Sequence, residues 1–229
     1  MQILQELQLD ELNLCPYLPD RQKQFQYFFA QNLNETEIGF ILSKGWRKFG
    51  AYYFRPACPA CRDCTPLRVL TDEFQPTKSQ RKNLRKNEAI QVKFGPLTYS
   101  KRAYDIYVEH SRSRFDQESS LDGFLFNFYT PSCPALQSEY YLDDRLIALG
   151  FLDHGLDCLS SVYFVYDTDY AHLGLGTFSI LKEIEYAKSM GLPYYYLGYY
   201  IRDCRRMNYK DRFEPREHFD WSSGIWRRV

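Results

Sequence analysis

Three cysteines recur at a strict interval in "RPACPACRDCTPLRV", at Cys58, Cys61 and Cys64. A two-residue gap lets neighbouring sulfurs reach one ion, and the distant Cys15 is the candidate fourth ligand of a zinc or iron–sulfur site. Three buried or free thiols are the alternative, since a second, separate CxxC pair is missing. A basic cluster follows. "KSQRKNLRK", from Lys78 to Lys86, holds five basic residues and no acid. On a helix Lys78, Arg81, Lys82 and Arg85 fall at i, i+3, i+4 and i+7. That is one ridge, able to straddle a phosphate backbone or to grip a carboxylate with paired arginine donors. A solvated surface helix is the plainer reading, but the missing counter-charges favour an anionic ligand. A second run, Arg202 to Arg212, sets five basic residues against two acids and includes Arg205, Arg206 and Lys210.

The third chemical feature is "HLGLGT". A single GxG falls short of a dinucleotide fingerprint, and Gly174 and Gly176 can simply make a tight turn. Placed between a strand and a helix, however, such a turn leaves the helix's first amides unpaired and available to an anion or a developing oxyanion. The four histidines, His110, His154, His172 and His218, form no HxxxH or His-Asp-Ser pattern. Neither histidine-based nucleophilic catalysis nor a histidine metal site is supported.

The elements that must position these residues read as follows. "NETEIGFILSKGW" is a short helix with Asn34 as cap, Glu37 completing a capping box and Gly45 ending it. "FGAYYFRP" is a strand closed by Pro56, and "LRVLTDEFQP" another that stops by Pro76. A helix is expected from about Ser100 to Arg114, and "LDGFLFNFYTPSCP" is the expected crossing between halves. From Ser138 to Asp167 apolar runs alternate with turn pairs at Asp143-Asp144 and His154-Gly155, which predicts a three-strand antiparallel meander. The period then changes. Ile180, Leu181, Ile184 and Ala187 share one helical face, with Lys182, Glu183 and Glu185 off it, so a helix is predicted from about Leu175 to Met190. "PYYYLGYY" is a strand, and a last helix-like segment is expected from about Asp203 to Phe213. Meander plus strand–turn–helix–strand is the layout of an α+β, acetyltransferase-like (GNAT) acyltransferase domain.

Composition sets outer limits. The chain has 229 residues, 45% of them hydrophobic, enough for one large core or two modest ones. Formal net charge is zero, so any polyanion contact depends on the local runs. No segment approaches the roughly 18–20 apolar residues of a membrane span. Seven cysteines, an odd number, argue for a reducing compartment. A cytoplasmic chain with reduced thiols and no membrane partner is expected. Aromatic residues at 17% favour packed sheet and stacking surfaces.

Taken in order, "CPYLPDRQ", "YYFRPACPACRDCTPLRV", "FQPTKSQRKNLRKN", "LGTFSILKEIEYAKSMGLPYYYLGYYI" and "CRRMNYKDRFEPRE" closely resemble the aminoacyl-tRNA–protein transferases, in their bacterial aspartate/glutamate leucyltransferase branch. The resemblance runs from about Cys15 to Glu217. It implies transfer of leucine from leucyl-tRNA to proteins that begin with Asp or Glu, which marks them for N-degron degradation. It also implies two acetyltransferase-like units, here divided as 1–130 and 131–229. Acyl-CoA-binding acetyltransferases usually carry Gln or Arg three residues before the first glycine of the turn, where this chain has Ala171, so CoA is not expected as a donor. The chemistry needs no cofactor, because the tRNA ester is already activated and an α-amine with pKa near roughly 7.7–8.0 is partly neutral at working pH. On this reading the amides of Leu175, Gly176 and Thr177 hold the oxyanion, and Tyr163, Tyr166 or Asp167 relays the proton. Ser79, Gln80, Arg81 and Arg85 read the acceptor's carboxylate. Lys78, Lys82, Lys86, Arg205, Arg206 and Lys210 bind tRNA, and Cys15, Cys58, Cys61 and Cys64 staple the fold, with or without metal. The rivals are arginyl transfer, an acyl-CoA acetyltransferase and a non-catalytic, zinc-stabilised RNA-binding protein.

Overall fold

A computed structural model describes residues 1–115 and 118–229. The N-terminal region builds a four-stranded antiparallel sheet, in the order β1 (Gln2–Leu9), β4 (Phe25–Gln31), β6 (Tyr52–Pro56), β5 (Arg47–Phe49), with β2 (Asn13–Leu14) and β3 (Gln22–Lys23) forming a separate two-strand ribbon. Helix α1 (Glu35–Ser43) follows β4, and its capping box is the expected one: Asn34 Oδ1 accepts from the Glu37 amide while the Glu37 carboxylate accepts from the Asn34 amide. Gly45 takes a left-handed φ of 79° just beyond it. α1 lies close against the main sheet because glycine faces glycine there. A Cβ on Gly155 would stand 3.1 Å from the Gly39 Cα.

The main sheet has eight strands, in the order β14 (Ile225–Arg228), β13 (Arg216–Asp220), β7 (Thr65–Leu70), β12 (Tyr194–Tyr200), β11 (Cys158–Tyr166), β10 (Arg145–Gly155), β9 (Ala135–Leu142), β8 (Gln91–Gly95). β9, β10 and β11 are the predicted meander. Its first turn falls at Asp143-Asp144, both at positive φ, and its second lies two residues past the expected one, at Leu156-Asp157, because Gly155 still pairs with Cys158. Helices α2 (Lys78–Lys86) and α5 (Leu175–Ser189) pack on one face, where Ile184 of α5 joins Leu67, Val69, Leu152, Leu159 and Phe213 in one core. Helix α3 (Lys101–Phe115) and the short α4 (Leu121–Phe124) cover the other, where aromatic rings dominate. Two expectations change. The segment from Asp203 to Phe213 forms only a short 3₁₀ turn at Asn208–Arg212. Glu183 is 1% exposed and faces the sheet, because Ser138, Tyr140 and Tyr195 give its carboxylate three hydroxyl donors there.

β7 and β8 come from before residue 130, so that boundary runs through one continuous sheet. All its pairings are antiparallel except β11 with β12. Those parallel strands bond only at Cys158↔Tyr194, Leu159↔Tyr195 and Ser160↔Tyr196, then part, leaving an open wedge toward their carboxyl ends. Crevices at the carboxyl ends of parallel strands are where α/β sheets bind ligands. No helix among the described residues is long and apolar enough to cross a membrane.

Candidate functional site at a strand wedge

α5 starts at the same end of the sheet where the wedge opens, since it follows β11 after one 3₁₀ turn, Thr168–Leu173. Gly174 caps it in the left-handed region, with φ of 69°. The amide of Thr177 bonds back to Gly174 O, whereas those of Leu175 and Gly176 lie in the first turn, ahead of any helical acceptor. Of the three expected oxyanion donors, the structure therefore leaves two.

Helix α2 docks on this turn. Asn83 Nδ2 donates to Leu173 O and Gly174 O at 3.2 and 3.3 Å, Asn87 Nδ2 donates to Leu173 O at 3.0 Å, and Lys86 Nζ donates to His172 O. The contact is tight enough that a Cβ on Gly174 would come within 2.9 Å of Asn83 Nδ2. So the basic ridge stands beside the glycine turn, a proximity that neither motif signals alone. Lys78, Ser79, Arg81, Lys82, Arg85 and Lys86 are exposed on it. Gln80 is buried and committed: its side chain completes a capping box with Thr77, and Nε2 donates to Arg212 O. Arg81 Nη1 donates to Pro76 O on the outer surface. Arg205 and Arg206 are exposed in the loop before the 3₁₀ turn at Asn208–Arg212.

The expected proton relays sit otherwise. Both Asp167 oxygens are occupied, Oδ2 by Arg102 and by Arg145 (2.9 Å) and Oδ1 by the Asp169 amide (3.1 Å), so this 1% exposed carboxylate is a clamp between α3, β10 and the turn. Tyr166 is 8% exposed and packs edge-on against His110. Tyr163 lies on the splayed part of β11, stacked on Phe128 at 5.3 Å, and burial pushes its phenol up to about 12. It can donate a proton at neutral pH but cannot serve as a base.

Two cations enter the wedge itself. Arg47, the first residue of β5, sends Nη1 to Ser160 Oγ at 2.7 Å and Nη2 to Ser161 O. Lys210 donates Nζ to Tyr199 O at 3.1 Å. The two approach one point: a Cβ on Gly198, which bulges at φ of 82°, would lie 3.5 Å from Arg47 Cζ and 3.5 Å from Lys210 Nζ. Among the described residues neither cation forms an ion pair, and Asp153, the acid whose charge Arg47 feels, is taken by Lys48 at 2.9 Å. Burial first, then the Arg47 charge, pulls the Lys210 ammonium down to about 7. Both side chains nevertheless keep some contact with solvent. Lys210 thus lies in the wedge, whereas Arg205 and Arg206 are exposed, and Arg47 had no sequence signal beyond its place before a strand.

The cysteines gather next to the wedge. Cys64 is pushed up to about 12, by burial first and then by Cys58, Cys15 and Cys61 nearby, and Lys210 feels both Cys204 and Cys64. All seven thiols are free. As arranged they do not fit a metal: Cys61 Sγ turns to Asp63 Oδ2 at 3.3 Å and Cys58 Sγ to Gln24 O at 3.6 Å. Among the described residues no three His, Cys, Asp or Glu side chains are placed to hold one ion.

Parted parallel strands, a helix N-terminus and two cations meet at one end of this mixed α+β chain, an arrangement that suits an anionic ligand. Two family models match it, the N terminus of arginine-tRNA-protein transferase over residues 13–82 and the C terminus over residues 100–220, and the chain belongs to that family. A curated aspartate/glutamate leucyltransferase of Helicobacter hepaticus is 33% identical over 221 residues, covering 90% of this chain and 89% of that one. Another, of Marinobacter nauticus, is 35% identical over 228 residues, covering 94% and 92%. Among solved structures, FemX overlaps 85% of this chain and 79% of its own at 7% identity and a TM-score of 0.47.

Proposed function

We propose that this chain moves leucine from leucyl-tRNA to the N-terminal Asp or Glu of proteins, marking them for degradation in the cytoplasm, where charged tRNA is found. The supporting observation is the near full-length similarity to leucyltransferases, 32–35% identical across about nine-tenths of both chains. Arginyl transfer is the second reading, favoured by the description of the matching family models.

The reaction is an aminolysis. The acceptor's neutral α-amine attacks the leucyl carbonyl carbon, a C–N bond forms, and the tetrahedral oxyanion rests on the amides of Leu175 and Gly176. The ester C–O bond then breaks, and the proton lost by the amine ends on the departing ribose oxygen. Tyr163, packed with Phe128 and Tyr107 on the splayed part of β11, is the candidate donor to that oxygen, and it regains its proton from the attacking amine. Because the ester is activated, holding the two substrates together supplies much of the acceleration, and neither CoA nor a metal takes part. The exposed ridge of Lys78, Arg81, Lys82, Arg85 and Lys86, with Arg205 and Arg206, receives the tRNA phosphates. Gathered on one end of one sheet, these parts form a single acyltransferase-like unit to which the N-terminal sheet is joined.

Purified protein, leucyl-tRNA and a reporter starting with Asp test this. Leucine should appear on the reporter's amine. Incorporation of arginine from arginyl-tRNA in its place would favour the second reading, and transfer of neither would leave a binding protein without catalysis.

A further inference from the structure

We propose that Arg47 and Lys210 form the pocket that reads the side-chain carboxylate of the acceptor's first residue. The inference rests on the transferase reading and assigns it a specificity site.

Two cations point at the same small space in the strand wedge, and among the described residues their bonds are to neutral atoms: Ser160 Oγ, Ser161 O and Tyr199 O. Where strands part, their carbonyls need donors, but an amide or hydroxyl would supply them without the cost of holding two like charges together in a crowded interior. The nearby acid, Asp153, is neutralised by Lys48. The Arg47 charge is therefore unmet, and a visiting carboxylate completes it and holds Lys210 as the ammonium. Gly198 keeps the space between the cations clear, since any side chain there would begin 3.5 Å from each. The pocket lies in the wedge that opens toward the end of the sheet where α5 starts.

A carboxylate suits the wedge better than an RNA phosphate does. Phosphates already have an exposed ridge on α2, where solvent access costs little. A half-buried pocket instead separates Asp from its isostere Asn, because the neutral amide leaves both cations uncompensated. Arg81, on the outer surface, cannot discriminate as strongly, since exposed ion pairs are screened by water.

Lys210→Gln is the informative variant: the amide can still donate to Tyr199 O while the charge is gone. KM for an Asp-initiated peptide should rise by about thirtyfold or more, with kcat changed much less, and preference for Asp over Asn should fall by a similar factor. Leucyl-tRNA affinity should stay within about twofold. Weakened leucyl-tRNA binding with acceptor preference intact would give the pocket to a phosphate and overturn the proposal. Unchanged KM and preference would reduce both cations to donors for strand carbonyls. A second measurement uses the wild-type protein and needs no transfer: acetylation of each lysine is followed by mass spectrometry with Asp- or Asn-initiated peptide present. Protection of Lys210 by the Asp peptide alone is expected, and equal or absent protection overturns the pocket even if Lys210→Gln does not fold. Lys210 protection without any leucine transfer would keep the pocket and remove the transferase reading.

Discussion

Glu183 shows how one buried group ties stability to pH. It lies on α5 against the sheet, accepting from Ser138 Oγ at 3.0 Å and from the hydroxyls of Tyr140 and Tyr195, yet burial outweighs these bonds and lifts its carboxyl from 4.5 to about 7. A raised acid pKa means that the folded state holds the proton more tightly. The contribution to stability is therefore full below about 4.5, declines as pH rises through about 7, and is gone above it. At roughly 1.4 kcal/mol per pKa unit the swing is on the order of 3 kcal/mol. Urea unfolding of the wild type should show this decline between pH 5 and 8, over and above the other titrating groups, and Glu183→Gln should flatten it. An unaltered pH profile in the variant would mean that Glu183 is ionised in the folded chain.

At the scale of elements, α2 serves two purposes through its two faces. Gln80, Asn83 and Asn87 face inward, Gln80 holding Arg212 O while Asn83 and Asn87 pin the turn before α5, whereas Arg81, Lys82 and Arg85 project outward without a carboxylate partner among the described residues. Phosphate binding by the outer face releases counterions, at a slope of about 0.7–0.9 per contact. Lys82→Ala with Arg85→Ala should lower the slope of log K against log salt for leucyl-tRNA by about 1.4 to 1.8, with melting temperature nearly unchanged. An unaltered slope would place the RNA elsewhere. The inward face predicts a different effect. Asn87→Ala removes the donors to Asn83 O and Leu173 O and should cost about 1 kcal/mol of stability.

On the scale of the whole molecule, the main sheet draws on both ends of the chain. β7 lies between β12 and β13 and brings Leu67 and Val69, both fully buried, into the core under α5. A fragment of residues 131–229 would leave the β12 edge open and that core half-lined. It should therefore lack a cooperative thermal transition, while addition of residues 1–130 restores one. Circular dichroism melts and amide exchange of the separate and mixed fragments decide this. Independent cooperative melting of 131–229 would support two autonomous units.

The sequence by itself determined what is local. Spacing and capping residues located α1, the meander and α5 to within a few residues, because hydrophobic period and cap chemistry are written into neighbouring positions. It also carried the family, through motifs spread from Cys15 to Glu217, and the exposed basic ridge of α2. Tertiary structure decided what depends on distant residues meeting. Asp167, which looks like a proton relay in sequence, is a clamp because Arg102 and Arg145 arrive from α3 and β10. Glu183, polar by type and off the apolar stripe, is buried because three hydroxyls wait on the sheet. The pairing of Arg47 with Lys210 lay beyond any local pattern. One opens a strand of the small sheet and the other follows β12, and only the parting of β11 from β12 makes a space that both can enter. Long-range charge placement obeys geometry and desolvation, which no periodicity along the chain encodes.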